Sequence, residues 1–158
     1  MSFDRAYEYL KRESFDDRVK VFDVSSATVE LAAAALGVEN GKIAKSLTFR
    51  QKSGPVMVIC AGDVKVSNSD YKQTFGEKAV MLTYDEVEQC IGHAVGGVCP
   101  FGINEGVSVY LDDSLKKYEK VYPACGSDNS AVELSVEELE KLSGAKGWVH
   151  VTKEANPQ

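Results

Sequence analysis

The 158-residue chain is 44% hydrophobic and 27% charged, the balance of one globular domain that buries a core without disulfides or a structural metal. Its net charge of −6 excludes a protein that coats long stretches of nucleic acid, which requires many phosphates to be neutralised, but leaves room for gripping one nucleic-acid end. No window is apolar enough to span a membrane and the first residues lack a signal-peptide core, so a cytoplasmic protein with neither membrane nor DNA as partner is expected.

In chain order, Phe3, Tyr7 and Leu10 share one face of a predicted helix over 2–13. VKVFDV alternates as a strand, and SSATVELAAAALG follows as a helix with Ser25 or Ser26 as N-cap and Gly37 as stop. GKIAKSLTFR and VMVICA read as a hairpin turning at 53–55. Ser67 with Asp70 and Thr83 with Glu86 have capping-box spacing, so a short helix is expected after each, with AVML as a strand between. Residues 92–106 hold five glycines and a proline and form a loop. VSVYL, EKVYPA and AVEL read as strands, SVEELEKLSG as a helix opened by Ser135 and Glu138, GWVHV as a closing strand, and about 152–158 as a fraying tail. The pattern predicts one domain over 1–158 with a mixed sheet and helices packed outside it. No Walker loop, GxGxxG, HExxH or GxSxG is present.

Alternation along the strand puts Ile43, Lys45, Leu47 and Phe49 on one face and Ala44, Ser46, Thr48 and Arg50 on the other. Lys45 thus lies on the apolar side, where a lysine either snorkels past its neighbours or points into a pocket that uses its charge. The loop GHAVGGVCPFGINEG could present backbone N–H groups to a carbonyl or phosphate, or simply connect two elements. The turn PACGSDNS offers Ser127, Asp128, Asn129 and Ser130, groups that in such turns commonly satisfy their own backbone. Cys60, Cys90, Cys99 and Cys125 form no CxxC pair and read as free thiols. Cys99 with His93 as base is a weak nucleophile candidate, lacking a helix N-terminus or an orienting carboxylate in sequence, and with Cys125 the two match no familiar metal spacing.

Together, KIAKSLTF, GGVCPFG, PACGS and VELSVEELEKLSGA, in that order over roughly residues 20–150, resemble the YbaK/EbsC family, which also occurs as the editing domain of bacterial prolyl-tRNA synthetases. The resemblance implies an α/β fold with a mixed, partly closed β-sheet surrounded by helices. It implies a trans-acting aminoacyl-tRNA deacylase, hydrolysing the ester of tRNA mischarged with a small amino acid such as Ala, Ser, Cys or Pro. Carried over position by position, Lys45, Gly96 and Gly97 become catalytic. Phe22, Ser46, Val98, Cys99, Pro100, Phe101, Gly102, Cys125 and Gly126 become substrate-binding, with Phe22, Val98 and Phe101 bounding the pocket. No metal or cofactor is implied. The implied partners are the acceptor end of an aminoacyl-tRNA and, beside it, an aminoacyl-tRNA synthetase. The chain departs from the family pattern at Cys99, where many relatives carry serine, and at Ala124 and Cys125. The rival reading is a non-catalytic module of the same fold that binds an aminoacyl-tRNA end, a nucleotide or a protein.

Overall fold

The computed structural model describes residues 2–155. Helix α1 (Ser2–Arg12) buries Ala6 and Leu10, and Phe3 stacks on Tyr7 at 5.7 Å. Strand β1 is only Val19–Val21. Helix α2 (Val29–Leu36) is capped by Thr28, not by Ser25 or Ser26, and ends at Gly37 in the left-handed region (φ 72°). The cap moves because the Ser26 N–H is already bonded to the Asp128 carbonyl at 2.6 Å, which keeps the chain extended up to Thr28.

Strands β2 (Ile43–Gln51) and β3 (Gly54–Ala61) pair antiparallel from Ala44↔Ala61 to Gln51↔Gly54. The turn is therefore Lys52–Ser53, and Gly54 and Pro55 belong to β3. Strand β4 (Val64–Val66) leads into α3 (Asn68–Phe75), where Ser67 accepts from the Asp70 N–H. The reciprocal half of that expected box is missing. The Ser67 N–H donates to the Val151 carbonyl at 2.8 Å instead, and the Asp70 carboxylate lies 3.6 Å from His150. Residues 79–82 make one bridge, Met81 to Phe49, and not a strand. Helix α4 (Tyr84–Ile91) has the full Thr83–Glu86 box.

Beyond the glycine loop come β5 (Ser108–Asp112), β6 (Lys120–Pro123), β7 (Ser130–Val132) and β8 (Leu134–Ser135). Helix α5 (Val136–Ser143) carries the full Ser135–Glu138 box, and β9 (Trp148–Val149) and β10 (Thr152–Glu154) follow. The tail expected to fray from 152 instead pairs β10 with β4, while 156–158 lie outside the described residues. Its anchor is the buried Asp112 carboxylate, which accepts from the Val151 N–H (2.8 Å), the Thr152 hydroxyl (2.7 Å) and the Ser114 N–H (3.0 Å).

The main sheet runs β8-β6-β2-β3-β5-β9, mixed parallel and antiparallel, and curls into a half-barrel. One face buries Met57, Ile59 and Leu111 with Ile91, Leu139 and Leu142; the other buries Phe49, Val56 and Val58 with Tyr71 and Val151. No helix among the described residues is long and apolar enough to cross a membrane.

Two turns lock together at one end of the sheet. The Gly126 N–H donates to the Gly97 carbonyl at 3.0 Å, and a Cβ on Gly97 would sit 2.4 Å from the Ser127 nitrogen. Only glycine allows that approach, because the obstacle is backbone and cannot rotate away. Gly97→Ala is accordingly expected to cost about 1–3 kcal/mol in denaturant titration. Gly147→Ala, with nothing within 4 Å of its Cβ position, should stay within about 0.5 kcal/mol of the parent. Asp112→Ala leaves the buried Val151 N–H without an acceptor and should cost about 1.5–3 kcal/mol for a charge-assisted bond, with faster amide exchange confined at first to 151–154.

Candidate functional site

Strand β2 explains where the cleft lies. The Thr48 carbonyl accepts from the Leu82 N–H, and the Arg50 N–H donates to the Val80 carbonyl, so both point away from β3. Peptide groups two residues apart in a strand point to the same side, which turns the N–H and C=O of Ser46 outward as well. Pairing of β2 with β6 stops at Ala44↔Pro123, and contact with residues 80–82 starts at Thr48. Ser46 therefore sits on a stretch of sheet edge without a neighbouring strand.

A cavity of about 390 Å³ opens over this edge. It is lined by Ala44, Ser46 and Thr48 of β2, by Thr28, Val29 and Ala32 at the start of α2, and by Leu82 and Val87 at α4. Val95, Gly96 and Val98 of the glycine loop and Tyr122, Ala124 and Ser130 complete the lining. Ser26 and Ser46 line it, and their hydroxyls are both buried and without a hydrogen-bond partner. Such groups cost stability unless something bonds to them, so they mark where a polar ligand atom would fit.

Lys45 also borders the cavity. Its Cα partner is Cys60, and it shares the sheet face of Leu47 and Phe49, as strand alternation predicts. Its ammonium does not reach toward the glycine loop: it donates to the carbonyls of Val64 and, at 3.5 Å, Gly62. An ammonium has three protons, so two carbonyl contacts fix its position and leave one donor. Burial pushes the neighbouring Cys60 thiol up to about 12, against a smaller opposing effect of the Lys45 charge.

The glycine loop divides between two sides. Gly96 (φ 97°) and Val98 border the cavity, with the Gly96 Cβ position 3.5 Å from that of Ala27. The Gly97 N–H is already bonded to the Ala94 carbonyl, so it is not an available donor; Gly96 and Val98 N–H groups enter no backbone hydrogen bond among the described residues. Cys99 and Phe101 turn into the core, where Phe101 stacks on Tyr9 at 6.2 Å. Pro100 and Gly102 border a separate groove under α1, with Arg5 and Tyr9. Cys125 is buried, and Gly126 packs against the Ser2 backbone. Phe22 lies half-buried, exchanging backbone and side-chain bonds with Asn129, and does not line the cavity. Of the three expected pocket walls only Val98 is one. Neighbouring residues of an extended segment face opposite ways, and this loop presents Val98 outward and Cys99 inward.

Cys99 has no thiolate character: burial raises its pKa far above the ordinary thiol value, with backbone contacts opposing weakly. His93 Nε2 lies 3.5 Å from its Sγ and 2.6 Å from the Phe101 carbonyl, and burial lowers the imidazole pKa. This pair is core, and a buried neutral thiol is inert. Sequence reasoning missed Ser26, the start of α2 and the apolar rim of Met81, Leu82 and Tyr84. The available signal was a run of three candidate caps, Ser25, Ser26 and Thr28, of which only one can cap.

Residues 23–142 match the sequence profile of the aminoacyl-tRNA editing domain. The chain is 46% identical over 155 residues to the uncharacterized protein YwhH of Bacillus subtilis (strain 168), covering 98% of this chain and 99% of that one. It is 31% identical over 110 residues to the proline–tRNA ligase of Geobacillus sp. (strain WCH70), covering 69% of this chain but 19% of that enzyme. Its fold superposes with a TM-score of 0.87 on a crystal structure described as that of a candidate trans-editing enzyme for prolyl tRNA synthetase, at 29% identity and covering 96% and 97% of the two chains. The chain belongs to the aminoacyl-tRNA editing domain family, of the YbaK-like type.

Proposed function

We propose that this protein is a cytoplasmic, trans-acting aminoacyl-tRNA deacylase that hydrolyses the ester joining a small amino acid, such as Ala, Ser, Cys or Pro, to the wrong tRNA. The observation that carries the reading is the lining of the cavity. It has apolar walls, two buried hydroxyls without partners and one lysine, with no carboxylate, imidazole or thiol among the described residues. A site of that kind suits a substrate that is already activated. An aminoacyl ester needs a positioned water and a stabilised oxyanion, and no protein nucleophile.

In this mechanism water adds to the ester carbonyl carbon, and the carbonyl oxygen becomes an oxyanion. Collapse breaks the bond to the ribose oxygen, which takes up a proton, and the products are the free amino acid and tRNA with its terminal hydroxyl restored. The remaining donor of Lys45 binds the substrate's oxygens or its terminal phosphate. The unpaired edge at Ser46 and the N–H groups of Gly96 and Val98 are the backbone donors left for the carbonyl. A synthetase that releases the mischarged tRNA is the natural neighbour of such an enzyme.

The non-catalytic reading draws on one observation, the attachment of the Lys45 ammonium to the Gly62 and Val64 carbonyls. One experiment separates the two. Purified protein is mixed with tRNAs charged with alanine, serine, cysteine or proline, and ester loss is followed beside Lys45→Ala. At least one charged tRNA should be cleared, and the variant should clear it roughly a hundredfold more slowly. Binding without clearance, or clearance by the variant at the parent's rate, would overturn the deacylase.

A further inference from the structure

We infer that Tyr84 is a stacking seat for the terminal base of the nucleic-acid end, holding the nucleoside at the mouth of the cavity while the ester reaches Ser46. This rests on the aminoacyl-tRNA reading above. Seven large apolar residues are strongly exposed among those described, and three of them, Tyr84 (76%), Met81 (52%) and Val95 (46%), border this one cavity. Single exposed apolar residues are ordinary, whereas a group at one mouth marks a contact surface. The Tyr84 ring joins no aromatic pair among the described residues, and its 76% exposure leaves ring surface for a stack.

Its support is rigid. Tyr84 is the first residue of α4, directly after the Thr83 cap, and Glu86 both closes the capping box and forms an ion pair with Arg50 of β2. The Leu82 N–H on the Thr48 carbonyl fixes the approach to the helix. The backbone that carries the ring is thus tied to the sheet and is not part of a loose loop, which lowers the ordering cost of binding.

Size and charge favour a base over a phosphate. At about 390 Å³ the cavity has the volume of about a dozen waters at ~30 Å³ each, more than a handful of aminoacyl atoms fills. Asp85 follows Tyr84 in the first turn of α4 and disfavours an anion beside the ring, while a neutral base is free to stack. Every base has a π-face, and stacking on an aromatic side chain is a common way to hold single-stranded ends.

The test uses a labelled, uncharged RNA hairpin ending in unpaired CCA and the same hairpin shortened by its whole unpaired end. Tyr84→Ala should weaken binding of the full hairpin roughly tenfold, and Tyr84→Phe should bind it as the parent does. The shortened hairpin should bind parent and Tyr84→Ala equally. In deacylation, Tyr84→Ala should raise KM by a similar factor with kcat little changed. The exposed ring predicts unchanged thermal melting for both variants. Equal binding of the full hairpin by parent and Tyr84→Ala overturns the inference, as does an equal loss with both hairpins. If the parent clears no charged tRNA, the deacylase reading falls, and hairpin binding still decides the role of Tyr84.

Discussion

Strand β2 has a full partner on one side and an interrupted one on the other. Against β3 it pairs from Ala44 to Gln51, and the residues that back it, Met57, Val58 and Ile59, are completely buried. That pairing makes β2 stiff. Along its outer edge β6 covers only Ile43 and Ala44, and residues 80–82 cover Thr48 and Arg50. Backbone groups at such a gap must bond to water or to a ligand. The curl of the sheet brings α2 and α4 over the gap, so the exposed peptide groups end up at the bottom of a cavity and not on an open edge.

The rest of the chain keeps this gap in shape. Gly97 and Gly126 press two turns together, and Ser26, bonded to Asp128, ties the entry to α2 to the same place. Behind them Cys99, Phe101 and Cys125 fill the core. Burial pushes the Cys125 thiol up to about 12 and keeps His93 neutral. Groups that might have competed for a role in catalysis are instead held in uncharged form as packing. The proposed chemistry therefore depends on a substrate that carries its own activation.

Local rules were enough for much of the fold. The boxes at Thr83–Glu86 and Ser135–Glu138, the Gly37 stop and the β2–β3 hairpin depend on residues a few positions apart, and such contacts can be read from sequence. The box at Ser67 failed because a distant carbonyl, that of Val151, took the N–H that Asp70 needed. Strand β10 was invisible for a related reason: its partner β4 has three residues, and Asp112, forty positions away, supplies the anchor. Within the site, alternation placed Lys45 and Ser46 on the correct faces, since a strand has a fixed period. The glycine loop has no period. Nothing in GGVCPFG announces that Val98 faces the cavity while Cys99 and Phe101 face the core, or that Pro100 and Gly102 turn toward α1.

The net charge of −6 is compatible with an RNA-end reader once the sources of affinity are separated. Phosphate contacts give binding that is strong, insensitive to sequence and steeply dependent on salt. A protein of net negative charge, with Asp85 next to Tyr84 in α4, gains little from them, and Lys45 has two of its three protons engaged by carbonyls. Affinity in the proposed complex must then come from stacking and apolar burial at Tyr84, Met81 and Val95, and from hydrogen bonds to the buried hydroxyls of Ser26 and Ser46. All of these act within the last nucleotide and its ester. Such a surface holds an end without holding the strand behind it, so the body of the tRNA contributes little unless a second protein, such as a synthetase, supplies the missing positive surface.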